Sequence, residues 1–279
     1  MKKRAPVIFT ALLFIIGIAV MLYPFFSNRY NRRNQAVIIE NYDDTVGKIK
    51  EEKLKAERAA AQAYNESFLD NVVLTDPFDP EANKKTSEEY EARLNMNGDS
   101  IMGYIEIPKI NVKLVIFHET STDVLSKGVG HLENSSLPIG GTGTHAVLSA
   151  HTGYSKATFF NDLINLEEGD TFYLTVLDEK LVYQVDQIKV VEPSNTDDLR
   201  INRDKDYVTL VTCTPYGVNS HRLLVRGSRI PYVEDAELQI QADDWDMSYT
   251  TPSIIALIIM IIIITIFIIK RKQKRRREQ

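Results

Sequence analysis

Two stretches without a charged side chain bracket this chain and limit what it can fold into. Val7 to Phe26 follows Met1-Lys2-Lys3-Arg4, while Pro252 to Ile269, dominated by isoleucine, runs straight into Lys270-Arg271-Lys272-Gln273-Lys274-Arg275-Arg276-Arg277. A helix rises about 1.5 Å per residue, so some 20 apolar residues span the roughly 30 Å of a bilayer's hydrocarbon. Each stretch therefore predicts a transmembrane helix. The flanking basic residues put both chain ends on the cytoplasmic side and the segment between them outside, although Arg29, Arg32 and Arg33 blur the bias. A cleavable signal peptide is the alternative for the first stretch. No Ala-x-Ala-like site follows it, and the apolar run continues into Tyr23-Pro24-Phe25-Phe26, which favours an anchor. Trp245 and Tyr249 read as residues of the membrane interface beside the second span.

The chain has 279 residues, leaving room for one ordinary domain with a sizeable core and no second large one. Formal net charge is −5, but the two ends hold ten of the 33 basic residues and one of the 38 acidic ones. The outer segment thus carries 23 basic against 37 acidic residues, a net −14. Such a segment disfavours nucleic acid as a partner and suits a domain standing off an anionic bilayer.

Gln35 to about Leu69 is rich in Glu, Lys and Ala, and Lys48 to Tyr64 lacks Gly and Pro, which predicts a charged helix or helical pair. Val73 to Pro80 carries two prolines and predicts an extended loop; a short helix follows over Ser87 to Leu94. After Asn97-Gly98-Asp99 the style changes to short β-type runs: Ile101 to Ile107, Val112 to Phe117, His145 to Ala150, Thr171 to Leu177, Leu181 to Val191, Val208 to Thr212 and Leu223 to Ile230. Turn-rich segments separate them, as in a closed or sandwiched sheet. Asp162 to Leu166 reads as a helical turn. Gly140-Gly141-Thr142-Gly143 lacks the Gly-Lys-Ser/Thr of a phosphate cradle and reads as a turn. No metal site or cofactor is expected, because acidic pairs such as Asp43-Asp44, Asp197-Asp198 and Asp243-Asp244 lack the calcium-loop pattern.

The only cysteine, Cys213, sits in Thr-Leu-Val-Thr-Cys-Thr-Pro-Tyr-Gly, nine residues before Arg222. A lone thiol on an outer face staples nothing within its own chain, so it is either reactive or merely buried. Thiol catalysis needs a partner for the proton, since a free cysteine is only a few per cent thiolate at neutral pH. Of the five histidines, His151 ends an apolar run and enters a Gly-containing loop, a placement both anchored and open to a cleft. His118, His131, His145 and His221 remain competitors on sequence alone. Arg222 and Arg226 fall on one face of a strand beside that of Cys213, where a guanidinium could hold an oxyanion.

The block Thr209 to Gly227, with Thr144-His145-Ala146-Val147-Leu148-Ser149-Ala150-His151, resembles the sortases, specifically their pilus-building class C branch. The likeness spans roughly Ser100 to Tyr232 plus the two-span layout, and departs at Ala150, where the family more often has Gly. It implies a mainly β fold, an eight-stranded sortase β-barrel with short helices, preceded by a helical segment and lid loop and flanked by the two spans. The implied layout is an anchor over 1–34, stalk and lid over 35–99, barrel over 100–232, linker over 233–251, second span over 252–269 and basic tail over 270–279. Cys213 would be the nucleophile, His151 the acid for the leaving amine and Arg222 the oxyanion holder. Asp76-Pro77-Phe78 would form the lid, Asp76 meeting Arg222 and Phe78, where many relatives have Trp, covering the thiol. The implied substrate is a Leu-Pro-x-Thr-Gly-like signal near the C-terminus of a pilin subunit, joined to a lysine of the next. Anchoring of proteins to peptidoglycan, or a non-catalytic pilin-binding scaffold, are the competing readings.

Overall fold

A computed structural model describes residues 5–67, 74–79, 86–154, 156–232 and 260. The expected linker, second span (Met260 apart) and basic tail, with Trp245 and Tyr249, lie outside the described residues. The chain divides into two units, residues 1–30 with 241–279 and residues 31–240. In the first, the described residues other than Met260 belong to helix α1 (Ala5–Val46), whose apolar side chains such as Phe9, Ile15 and Val20 are more than 60% exposed. It is long and apolar enough to cross a membrane, and water is a poor solvent for such a surface.

In the second unit α1 continues without a break through residue 46, although composition changes near residue 34. Ile39, Tyr42 and Val46 recur at helical spacing and are buried. Two polar side chains pin the same face: Gln35 accepts from Val115 N–H (2.8 Å) and donates to the Lys127 carbonyl (2.7 Å), and the Tyr42 hydroxyl accepts from Leu177 N–H (2.8 Å) and donates to the Met102 carbonyl (3.0 Å). Helix α2 (Glu51–Ser67) packs through Leu54, Ala61 and Tyr64, and its Asn65 bonds both backbone groups of Leu137. Helix α3 (Glu88–Ala92) is capped by Ser87, whose hydroxyl accepts from Tyr90 N–H.

Eight strands follow: β1 (Ile101–Ile107), β2 (Val112–His118), β3 (Val129–His131), β4 (Thr144–Ser149), β5 (Thr171–Val176), β6 (Glu179–Val191), β7 (Asp206–Thr214) and β8 (His221–Ile230). They close into a barrel in the order β1-β2-β3-β4-β7-β8-β6-β5, parallel at β2/β3 and β4/β7 and antiparallel elsewhere. Closure leaves no sheet edge for unwanted pairing. The seven expected runs are all strands; the eighth, β3, escaped because three residues containing Gly130 carry no periodicity. The expected turn at 162–166 is a 3₁₀ turn over Leu163–Asn165, and Gly140 to Gly143 lies in the β3–β4 connection.

Side chains alternate between two faces of each strand. Ala146, Leu148, Ala150, Leu210, Leu223 and Val225 enter the main core inside the barrel. Their neighbours Val147, Val211 and Leu224 belong instead to a separate small cluster with Leu132 and Leu199. That cluster marks the outer face of β4, β7 and β8, where Leu74, Phe78 and Val191 cover it.

Candidate active site

Cys213 lies on this outer face of β7, two residues beyond Val211, and is 8% exposed. Its antiparallel partner across the β7/β8 ladder is Arg222. On the other side, β4 runs parallel to β7 with Ser149 opposite Val211. The ladder continues past that pair: Ala150 N–H donates to the Val211 carbonyl (3.2 Å), and the Thr212 hydroxyl donates to the Ala150 carbonyl (2.7 Å). Constant register then brings His151 level with Cys213. A thiol, an imidazole and a guanidinium from adjacent strands thus share one level and one face, although 71 residues separate His151 from Arg222 in sequence.

The other histidines are spoken for. Buried His131 donates from Nε2 to the Ser136 carbonyl (2.8 Å) and meets the Tyr90 hydroxyl through Nδ1 (2.9 Å). Buried His145 donates from Nδ1 to the Arg200 carbonyl (2.8 Å) and accepts from Thr209 at Nε2 (2.7 Å). His118 sets its two ring nitrogens against the carbonyls of Ser100 and Arg93. His221 is exposed, beside the Ser220 hydroxyl. No described residue hydrogen-bonds either ring nitrogen of His151; aromatic rings hold it instead. Phe78 lies 5.6 Å from it between centroids, and Tyr154 stacks on it at 5.6 Å with 17° between planes.

Arg226, the second arginine on this face of β8, is engaged elsewhere: it pairs with Asp186 (2.8 Å) and lies over the Tyr207 ring. Arg222 makes a forked pair with Asp76, Nε to Oδ1 at 2.8 Å and Nη2 to Oδ2 at 2.6 Å, and donates from Nη1 to the carbonyls of Asn219 and His221. Both partners are nearly buried, at 11% and 14% side-chain exposure. Pro77 is buried, and Phe78 projects between the groups flanking the thiol, its ring 5.1 Å from the Arg222 guanidinium carbon. The Asp76 carboxylate also accepts from Phe78 N–H (3.3 Å), and the Leu74 carbonyl accepts from Thr196. The Asp76-Pro77-Phe78 segment therefore closes over the outer face of the barrel at the level of Cys213.

This closure sets the charges. Burial pushes the Cys213 thiol up; the Arg222 charge opposes that and the Asp76 charge adds to it. Burial alone pulls His151 down. Both effects favour a neutral thiol beside a neutral imidazole in the closed site. Sequence reasoning missed Tyr154 and Phe159, which stack in series on His151, because aromatic residues in a loop read as core; their spacing after His151 was the available signal.

A model of the sortase domain matches residues 105–230. The chain is 47% identical to sortase C-1 of Streptococcus pneumoniae, whose crystal structure it matches with a TM-score of 0.65 over 70% of this chain and 98% of that one. This chain belongs to the sortase family. Sortase C1 of Streptococcus agalactiae is similar at 45% identity and a TM-score of 0.64, covering 70% and 99% of the two chains. Among curated relatives, Sortase D of Bacillus subtilis is 28% identical over 196 residues, 69% of this chain and 88% of its own length. As a sortase the protein is a cysteine transpeptidase acting on sorting-signal substrates, and its likeness to solved structures runs to the class C enzymes. The Ala150 methyl is wholly buried in the barrel core.

Proposed function

We propose that this sortase polymerises pilins on the outer face of the membrane, with Cys213 as nucleophile, His151 as proton carrier and Arg222 as oxyanion holder. The observation that carries the reading is the forked Asp76–Arg222 pair with Phe78 set between Arg222 and His151. A segment that shuts the empty site suits an enzyme whose thiol must stay guarded until a sorting signal arrives. Relatives described as pilus-related, such as Sortase C of Group B Streptococcus at 46% identity, support the substrate class.

The lid first leaves with Asp76, freeing Arg222. The Cys213 thiol then gives its proton to His151 as sulfur attacks the threonine carbonyl of a Leu-Pro-x-Thr-Gly-like signal. Arg222 donates to the developing oxyanion, a task to which its planar fork is suited. Collapse breaks the Thr–Gly bond, His151 protonates the departing glycine amine, and a thioester remains on Cys213. A pilin lysine amine attacks that thioester, its proton returns through His151 to the thiol, and an isopeptide bond joins the subunits. The expected layout completes the picture: two spans, a bilayer on which the enzyme sits, and a catalytic domain outside.

The test uses the full chain in detergent with a Leu-Pro-x-Thr-Gly peptide, followed by intact mass. An adduct on Cys213 equal to the peptide truncated after Thr is expected, discharged faster by a lysine-bearing pilin than by a peptidoglycan cross-bridge peptide. Preference for the cross-bridge amine would make it a wall-anchoring sortase. Fibre assembly supported by C213A would make it a scaffold.

A further inference from the structure

A histidine that moves protons between a thiol and a leaving amine must hold its ring plane to within about 10–20°. Proteins usually do this with an acceptor on the second ring nitrogen. His151 has no such acceptor among the described residues. Instead its ring meets two others, Phe78 tilted at 40° and Tyr154 stacked at 17°, and Tyr154 in turn stacks on Phe159 at 5.6 Å and 15°. Of these two rings, Phe78 belongs to the proposed lid and departs with it. Tyr154 stays, because its loop is tied down: Gly153 adopts φ +73°, reversing the chain so that Tyr154 returns over His151, and Gly153 N–H donates to the Asn161 side chain (2.7 Å). Phe160 N–H donates to the His151 carbonyl (3.2 Å), and Phe159, 3% exposed, backs the stack from the core. The Tyr154 hydroxyl has no hydrogen-bond partner among the described residues, so the ring face is what the site uses.

We infer that Tyr154, backed by Phe159, is the positioning residue for His151, an aromatic stack that orients the imidazole where other thiol and serine enzymes use a hydrogen-bond acceptor. The inference rests on the proposed role of His151 as proton carrier. Once the lid is displaced, Tyr154 remains as a flat wall limiting rotation of the imidazole. Losing that wall lets the ring sample unproductive orientations, which slows acylation without altering how the thiol reacts with small reagents.

The experiment uses the full chain in detergent carrying D76A and F78A, so that the lid does not limit the rate, with Y154F, Y154L and H151A added separately. Single-turnover formation of the thioacyl enzyme is followed by intact mass, alkylation of Cys213 by iodoacetamide runs in parallel, and His151 ring protons are observed by NMR. Y154L, which keeps an apolar side chain but not the flat face, is expected to lower the acylation rate about ten-fold with the half-saturating peptide concentration and alkylation nearly unchanged. It should also lose the ring-current shift on the His151 protons. Y154F is expected to restore both. An acylation rate in Y154L equal to that of its D76A, F78A parent overturns the inference, as does a Y154F variant as slow as Y154L, which would point to the hydroxyl. Full acylation in H151A would sink the role of His151 itself, a failure separable from that of Tyr154.

Discussion

Removing one carboxylate, in D76A, should both open the site and acidify its thiol. The segment proposed as the lid is held closed by a forked ion pair whose members are 11% and 14% exposed, by the Phe78 ring against the guanidinium at 5.1 Å, and by Leu74 and Phe78 on the apolar floor. A hydrogen-bonded charged group contributes about 1.5–3 kcal/mol to the state that holds it. In D76A the closed state loses that much while the open state, where Asp76 would be solvated, loses little. At about 1.4 kcal/mol per factor of ten, the open fraction should rise roughly 10- to 150-fold.

Alkylation of Cys213 by iodoacetamide reads this out, because the rate follows the open fraction multiplied by the thiolate fraction. A neutral reagent avoids any electrostatic steering by the lost charge. Asp76 also raises the Cys213 pKa in the closed site, so D76A should move the pH–rate profile toward lower pH as well as upward. D76N, which removes the charge but keeps hydrogen-bonding atoms, should fall between wild type and D76A. Wild-type alkylation kinetics in D76A, at every pH from 6 to about 10, would refute the argument that this pair holds the site shut.

Other perturbations reach different parts of the molecule. R222A should slow thioacyl formation by about 10²–10³-fold in single-turnover mass measurements, and R222K should recover little of it, because an ammonium cannot reproduce the fork. Burial pulls buried His131 down to about 3 and His145 to about 4, so below pH 6.5 the unfolded chain takes up protons that the folded one refuses. Stability should therefore fall as pH drops from 7 to 5, by roughly 2 kcal/mol for each histidine; a flat melting temperature over that range would count against neutral buried rings. In G227A the new methyl would meet the Phe172 ring at 2.5 Å and the Tyr183 side chain at 2.9 Å, where the two rings already stack. Overpacking of about 1–3 kcal/mol should lower the melting temperature by several degrees.

The parts of this molecule legible in its sequence are those decided by neighbours a few residues away. Alternation revealed the long strands, and the apolar helix α1 announced itself by length. The change from apolar to charged residues near position 34 looked like a boundary, yet nothing there stops a helix; α1 ends only before Gly47. β3 stayed hidden because its pairing is decided elsewhere: Gly130 has no side chain since a Cβ there would lie 2.4 Å from the Glu119 carbonyl. The choice among histidines was likewise open, since the Arg200 carbonyl that engages His145 is 55 residues distant. Arg222 and Arg226 were equivalent by alternation until Asp76 and Asp186 divided them.

That division has a chemical consequence for the proposed mechanism. The carboxylate that claims Arg222 also raises the thiol, and the ring that covers the cleft also desolvates His151, so one short segment lowers the reactivity of all three groups together. A protein that merely buried its thiol would not need the forked pair, because burial by Leu74 and Phe78 suffices to exclude water. Pairing Asp76 with the proposed oxyanion holder would make closure conditional on an empty site: a substrate carbonyl at Arg222 would compete directly with the contact that keeps the Asp76 segment down. On this reading, sorting-signal binding and lid release are a single exchange at one guanidinium, and peptide affinity in D76A should exceed that of wild type by the same factor as the rise in open fraction.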